Sequence, residues 1–264
     1  MGTRRLDVVL AERGLAPSRE QARALILGGK VRVGGRRVDK AGAAIDPAAE
    51  IAVEGGLPFV GRGGLKLAGA LDAFGVDPAG LVAVDVGAST GGFTDCLLQR
   101  GATRVYAVDV GYGQLAWKLQ SDPRVVRLDR VNIRTAGPDL LPEPCDLAVV
   151  DVSFISLRLV LGPVLGLLRA GGGVVALVKP QFEVGRGGVG KGGIVRDAAL
   201  QRGALAGLVD FAAAAGAAVR DWCASPITGA DGNVEFFLHL GKGGNGDRSA
   251  AIRSAVEAWR PDGA

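Results

Sequence analysis

The 264-residue sequence predicts an α/β protein, a doubly wound sheet of about seven strands preceded by a small α+β unit. Three observations predict it. From residue 65 onward, short and nearly all-apolar runs alternate with helical stretches, the pattern of a parallel sheet covered on both faces. Before residue 55 the apolar period is helical twice and then changes to two around a Gly-Gly turn. Charge divides at about the same place: residues 1–40 hold ten Lys/Arg against four Asp/Glu, whereas residues 41–264 hold 21 against 23.

In the first unit Leu6, Val9 and Leu10 stand at helical spacing, and Gly14 is the expected stop. Ser18 is expected to cap a second helix, with Gln21 completing a capping box and Ala22, Leu25 and Ile26 as the apolar stripe. Gly28 and Gly29 end it. Val31–Val33 and Arg36–Val38 read as a hairpin about Gly34-Gly35, and Ile51–Val53 as a further short strand. The basic surplus is the electrostatic footprint of a polyanion binder. Residues 56–64, rich in Gly and Pro, read as a linker that separates units of 1–55 and 65–264.

In the second unit strands are expected at Leu81–Val86, Arg104–Val110, Arg124–Leu128, Asp146–Asp151, Gly173–Lys179, Ala217–Ala224 and Val234–Leu240. Helices fit at Phe93–Arg100, Ser156–Arg169 and Ala198–Ala215. No long helix separates the last two strands, so part of the sheet is expected to be antiparallel.

Composition excludes several chemistries. His239 is the one histidine, which rules out a His-His metal site and leaves any histidine dyad dependent on a residue that reads as core. Cys96, Cys145 and Cys223 lie far apart with no C-x-x-C pairing, against a disulfide framework and against zinc. No apolar run reaches the ~18 residues of a membrane span, and the charged start is unlike a secretory signal. The expectation is a soluble cytoplasmic protein that needs no metal and no membrane.

Ligands of doubly wound sheets sit at the carboxyl ends of the strands, by the first β-to-α turn. Here that turn runs from Asp85 to Phe93, with Gly87 and Gly91 permitting a tight bend. Ser89 stands where a dinucleotide fingerprint needs its second glycine, and Asp85 would repel a pyrophosphate. A carboxylate at Asp85 can instead meet the cationic amino-acid end of S-adenosylmethionine. Asp109 can meet both ribose hydroxyls, and Asp129 an adenine amino group. Gly87, Ser89, Thr90, Gly91, Gly92, Phe93 and Asp151 complete the expected cofactor contacts. A second glycine-rich run, Gly185–Gly192, nearly matches a phosphate-binding loop, but Gly192 offers no hydroxyl for magnesium. It reads as a flexible lid that reaches substrate backbone through Arg186 and Lys191.

Four ionisable residues stand out beside these runs. Lys179 ends the run Val174–Val178, Asp151 ends Leu147–Val150, Glu235 interrupts an otherwise apolar strand, and Lys66 lies in the helix after the linker. Charges at the ligand end of a sheet are candidate catalytic groups. Phe154, just after Asp151, is a candidate contact for cofactor or a flipped nucleotide, or a core residue.

Two resemblances follow. Ser18-Arg19-x-x-Ala22-x-x-Leu25-Ile26-x-x-Gly29-x-Val31-x-Val33-x-Gly35 resembles the small RNA-binding module of a ribosomal small-subunit protein and of pseudouridine synthases. That resemblance makes Arg19, Arg23, Lys30, Arg32, Arg36 and Arg37 candidate RNA contacts, with Arg4, Arg5, Arg62, Arg186 and Lys191 adding to the basic set. Lys66, Asp151, Lys179 and Glu235 occur in the order of the Lys-Asp-Lys-Glu tetrad of FtsJ-type ribose 2'-O-methyltransferases. With the strings Arg62–Leu67, Asp85–Asp95, Asp151–Ser156, Val178–Glu183 and Gly232–Phe236, the chain resembles the TlyA, or hemolysin A, family of ribosomal RNA methyltransferases. The resemblance implies a Rossmann-like methyltransferase sheet, S-adenosylmethionine as cofactor, ribosomal RNA or ribosomal subunits as partner, and cytidine 2'-hydroxyls as target. At the linker some members carry Arg-x-Trp-Val, where this chain has Leu57-Pro58-Phe59-Val60.

A ribose hydroxyl is a poor nucleophile and a sulfonium methyl is already activated, so such an enzyme must align the two and help remove a proton. With no histidine placed for it, Lys179 is the expected base or hydroxyl orienter. Lys66 would hold substrate, and Asp151 and Glu235 would position the amines. A non-catalytic RNA-binding protein, a membrane-lytic protein and a dinucleotide oxidoreductase are the competing readings.

Overall fold

A computed structural model describes residues 3–13, 15–16, 19–55, 58–229, 231–243 and 246–260, without the side chains of Glu20, Gln21, Ala24 and Arg186. The expected Gly14 stop, the Ser18–Gln21 capping box and the reach of Arg186 lie outside the described residues.

The N-terminal unit runs β1 (Arg4–Arg5), α1 (Leu6–Glu12), α2 (Arg19–Leu27), β2 (Val31–Val33), β3 (Arg36–Arg37), β4 (Ala44–Ile45) and β5 (Ile51–Val53). The hairpin forms about Gly34-Gly35, both at positive φ, and β2 also pairs antiparallel with β5. Leu6, Val9, Leu10, Ala22, Ile26 and Val31 form a small core of their own. The β1–β4 pairing was not foreseen, since two residues carry no period to read.

The second unit continues with α3 (Arg62–Phe74), β6 (Val82–Val86), α4 (Gly92–Gln99), β7 (Arg104–Asp109), α5 (Trp117–Gln120), β8 (Val125–Asp129) and β9 (Cys145–Val150). It ends with α6 (Leu161–Gly166), β10 (Leu168–Val178), α7 (Ala198–Ala214), β11 (Ala217–Ala224), β12 (Phe236–Lys242) and α8 (Ser249–Ala258). One seven-stranded sheet has the order β11-β12-β10-β9-β6-β7-β8. β6 to β10 are parallel, and β12 lies antiparallel between β10 and β11, as the missing helix between the last strands required. Two apolar layers cover the sheet: Leu67, Leu71, Phe93 and Leu97 on one face, Leu161, Val164, Leu205 and Val209 on the other.

The expected helix Ser156–Arg169 is corrected. A 3-10 turn at Leu157–Leu159 precedes a six-residue α6, and Leu168 already pairs with Cys145 in the sheet. Gly162, Pro163 and Gly166 make this stretch a poor helix former, and sheet pairing takes the end of it. His239 sits in β12, half-buried and stacked on Phe74 at 5.3 Å, and burial pushes its pKa down to about 4, which suits a packing residue at the core's rim. No helix of the described residues is long and apolar enough to cross a membrane.

Candidate active site

The first crossing of the sheet builds the ligand crevice. β6 ends at Val86, and the chain turns through Gly87 at φ 87, Ser89 at φ 48 and Gly91 at φ 97 into α4. A Cβ on Gly87 would lie 2.4 Å from the Asp151 carbonyl oxygen, so only glycine lets the turn pass the end of β9 this closely. The Asp109 carboxylate braces the turn, accepting from the Ser89 N–H at 2.7 Å and from the Gly111 N–H at 2.7 Å. Beside it a cavity of about 380 Å³ is lined by Gly87, Ser89, Asp109, Val110, Asn132, Ile133, Asp151 and Phe154 among others.

Two of the expected cofactor acids are placed differently. Asp85 is fully buried beneath the turn, where one oxygen accepts from Thr94 Oγ1 at 2.6 Å and the other has no hydrogen-bond partner among the described residues. Burial pushes its pKa up to about 7, the Thr94 hydrogen bond opposes this, and the Asp151 charge adds to it. Asp129 accepts from the Gly113 N–H at 3.2 Å and borders a small adjoining cavity. The crevice wall below β8 is instead Val131, Asn132 and Ile133, because Arg130, at φ 60, turns the chain back there. Sequence reading missed Asn132 and Ile133; their only signal was their place just beyond a strand end.

The four charged residues converge as two ion pairs. Lys179, just past β10, places Nζ 2.6 Å from Asp151 Oδ1 and donates to Ser153 Oγ at 2.8 Å. The lysine–aspartate contact is an ion pair without hydrogen-bond angle, and Asp151 Oδ1 is itself shielded from solvent. Lys66, on the second turn of α3, donates to Glu235 Oε2 at 2.5 Å, with both side chains buried. The antiparallel register that pairs Val178 with Phe236 carries Lys179 and Glu235 to the same end of neighbouring strands. Arg62 lies beside Glu235, and burial pushes its pKa down while Glu235 opposes. Its guanidinium donates to the Thr228 carbonyl at 2.8 Å, and its buried Nε has no hydrogen-bond partner among the described residues.

A cleft of about 830 Å³ joins these parts. It is lined by Arg62, Gly63, the turn residues 87–90, Gly92, Phe93, Asp151, Thr228 and Gly229 on one side, and by Glu12, Arg13 and Arg19 of the N-terminal unit on the other. Beyond Phe154 a third cavity of about 480 Å³ is walled by Phe154, Phe182, Asn132, Arg134 and Ser156. Phe154 is 91% exposed, which removes the core reading, and its ring lies 5.3 Å from Phe182.

The linker is tied to the turn by contacts that left no pattern in the sequence. Asp95 of α4 accepts from the Val60 N–H at 2.8 Å and from Lys118 Nζ at 3.0 Å, and Gln99 donates to the Pro58 carbonyl at 2.6 Å. Gly92 and Gly64 let the two helix starts touch: a Cβ on Gly92 would be 2.9 Å from the Gly64 nitrogen.

Of the expected RNA contacts, Arg5 and Arg19 bind Asp7, which is fully buried and whose pKa they hold down at about 2. Arg4 pairs with Glu12, and Arg32 with Glu54. Arg23, Lys30, Arg36, Arg37 and Lys191 are exposed, and Arg36 and Arg37 make no ion pair among the described residues.

A parallel sheet with one antiparallel strand, a glycine turn braced by an acid, and a lysine–carboxylate cluster beside it define a methyltransferase of the Rossmann-like class. Residues 59–242 match the FtsJ-like methyltransferase family, and residues 4–51 match the S4 domain. The chain belongs to the TlyA/hemolysin family of FtsJ-like methyltransferases, with an N-terminal S4 domain. It is 47% identical over 238 residues to the 16S/23S rRNA (cytidine-2'-O)-methyltransferase TlyA of Mycobacterium tuberculosis, covering 89% of each chain. It is 39% identical over 237 residues to Hemolysin A of Brachyspira hyodysenteriae, covering 89% of this chain and 99% of the other. A solved structure of a candidate hemolysin from Streptococcus thermophilus superposes with a TM-score of 0.78 at 44% identity, covering 97% of this chain and 95% of that one.

Proposed function

We propose that the chain methylates the ribose 2'-hydroxyl of cytidine in 16S ribosomal RNA, 23S ribosomal RNA or both, with S-adenosylmethionine as donor. The observation that carries this reading is the Lys179–Asp151 pair, set at the end of adjacent strands beside the glycine turn. The crevice suits the donor. Asp109 stands at the second strand end with acceptor capacity beyond its two backbone bonds, and the backbone of the turn can approach a ligand closely.

When bound, S-adenosylmethionine supplies a methyl group already activated by its sulfonium charge. The residues then have two tasks, alignment and removal of one proton. Lys179, fixed by Asp151 and Ser153, holds the 2'-hydroxyl as an ammonium donor, or takes the hydroxyl proton after first releasing one of its own to solvent. Lys66, held by Glu235, is the substrate-holding amine. Phe154, exposed at the crevice edge, suits a base turned out of its helix, because a flipped base is held by stacking. The joint expected at 56–64 is shorter, because α3 already starts at Arg62, and it divides the chain into an RNA-gripping unit, 1–55, and a transferring unit that begins with α3. In the first, Arg23, Lys30, Arg36 and Arg37 meet phosphates of folded RNA.

The test is titration calorimetry with S-adenosylmethionine and with NAD, followed by transfer of labelled methyl to ribosomal subunits. Binding of S-adenosylmethionine alone and label in RNA are expected. Binding of RNA with neither cofactor nor transfer would favour the non-catalytic reading.

A further inference from the structure

We propose that Glu183 is a positioning residue for methyl transfer: it fixes the loop that carries Ser153 and Phe154 against the loop that carries Lys179. The inference rests on the reading of the site given above.

Glu183 lies four residues beyond Lys179, at the end of a 3-10 turn closed by the Phe182 N–H on the Lys179 carbonyl and the Glu183 N–H on the Pro180 carbonyl, both at 2.9 Å. This turn makes the backbone from Lys179 to Glu183 one short rigid piece. The carboxylate then crosses to the neighbouring loop. Its Oε2 accepts from Ser156 Oγ at 2.7 Å, and its Oε1 accepts from the Leu157 N–H at 2.8 Å. The Ser156 hydroxyl in turn accepts from the Arg158 N–H at 3.1 Å, so the same bonds cap the 3-10 turn at Leu157–Leu159. The Glu183 side chain is 2% exposed, and the Arg158 guanidinium stands 3.9 Å away. A buried carboxylate is costly unless its oxygens are satisfied, and burial here pushes its pKa up against the Ser156 and Leu157 bonds.

Two further contacts join the same pair of loops. Lys179 donates to Ser153, and the Phe154 ring packs beside Phe182. Phe154 is held at φ 63, a conformation that bulky residues adopt only where their surroundings impose it. Anchored on Glu183 at Ser156 and Leu157, the segment Ser153–Ile155 has both ends tied. The distance between the Lys179 amine and the Phe154 ring is then set by a group that touches neither. A carboxylate suits this role because it accepts from an O–H and an N–H at once.

The experiment compares Glu183→Ala, Glu183→Gln and Ser156→Ala with wild type and with Lys179→Ala. It follows methyl transfer to ribosomal subunits, binding of S-adenosylmethionine, and hydrogen exchange of the Leu157 amide. Glu183→Ala is expected to lower kcat about 100-fold through misplacement, with cofactor affinity and KM for RNA near wild type. Exchange at Leu157 should rise. Glu183→Gln, which keeps one acceptor, should recover most of the rate, and Ser156→Ala should lose less than Glu183→Ala. Wild-type kcat in Glu183→Ala, while Lys179→Ala is inactive, overturns the proposal alone. Equal loss of cofactor binding and rate, or no recovery in Glu183→Gln, also overturns it by reducing Glu183 to a structural group. Wild-type rates in both Lys179→Ala and Glu183→Ala overturn the reading of the site and this inference with it.

Discussion

The two lysine–carboxylate pairs of the site have the same chemistry in different surroundings. Lys66 and Glu235 keep 10% and 3% of their side-chain surface, whereas Lys179 and Asp151 keep 11% and 23%. Glu235 lies among apolar strand neighbours and is neutralised mainly by Lys66, with Arg62 nearby; Asp151 borders the cleft. The inner pair is therefore tied to stability, and the outer pair is left free to act on a substrate. Asp85 is the limiting case, a carboxylate with no cation paired to it among the described residues, whose burial favours the proton instead.

The largest expected effect separates the pairs by activity. Lys179→Ala should lower the single-turnover methylation rate by about 1,000-fold, within the range for a positioned acid–base group, and leave S-adenosylmethionine binding intact. Urea unfolding should separate them by stability. Lys66→Ala strands the buried Glu235 charge and should cost about 3–5 kcal/mol, whereas Lys179→Ala leaves Asp151 reachable by water and should cost about 1 kcal/mol or less. Equal costs would remove the distinction.

The third effect concerns Asp85 and pH. Its pKa rises from 3.8 to about 7 on folding, so between those values the folded chain holds a proton that the unfolded chain has released. Its contribution is full below the unfolded pKa and is lost as pH rises through about 7. Asp85→Asn should flatten that decline, raising stability at pH 8 relative to wild type by about 2–4 kcal/mol in unfolding measured from pH 4 to 8. Asp7 gives the opposite sign. Held at about 2 by Arg5 and Arg19, it supports the S4 unit above pH 4 and loses that support as pH falls toward 2, a loss Arg5→Ala should diminish. The smallest effect belongs to the exposed arginines. Arg36→Ala and Arg37→Ala should weaken RNA binding modestly, each reducing the salt slope of affinity by about 1, without changing the melting temperature.

Much of this was legible in the sequence, and the reasons are physical. Runs such as Val174–Val178 and Leu147–Val150 announce buried strands because both faces are covered, and a lysine or aspartate that ends such a run must sit at the sheet's rim. The S4 helices and hairpin likewise carry their periods locally. What stayed hidden depends on contacts distant in the chain. Asp95 reads as an ordinary helix residue until Val60 donates to it from 35 positions away, and Glu183 reveals its partners only when β9 and β10 lie side by side. The surroundings of Asp85 and Asp129 stayed hidden for a related reason. A strand-end position does not say whether a side chain turns into the crevice or under the turn.

The central claim is transfer to ribose oxygen under the control of Lys179. Its most direct test is nucleoside mass spectrometry with primer-extension mapping of ribosomal RNA after incubation with S-adenosylmethionine and either wild-type protein or Lys179→Ala. The account predicts 2'-O-methylcytidine at discrete positions with the wild type and none with the variant. Methyl groups on bases, or the same 2'-O-methylcytidines made by Lys179→Ala, would contradict it.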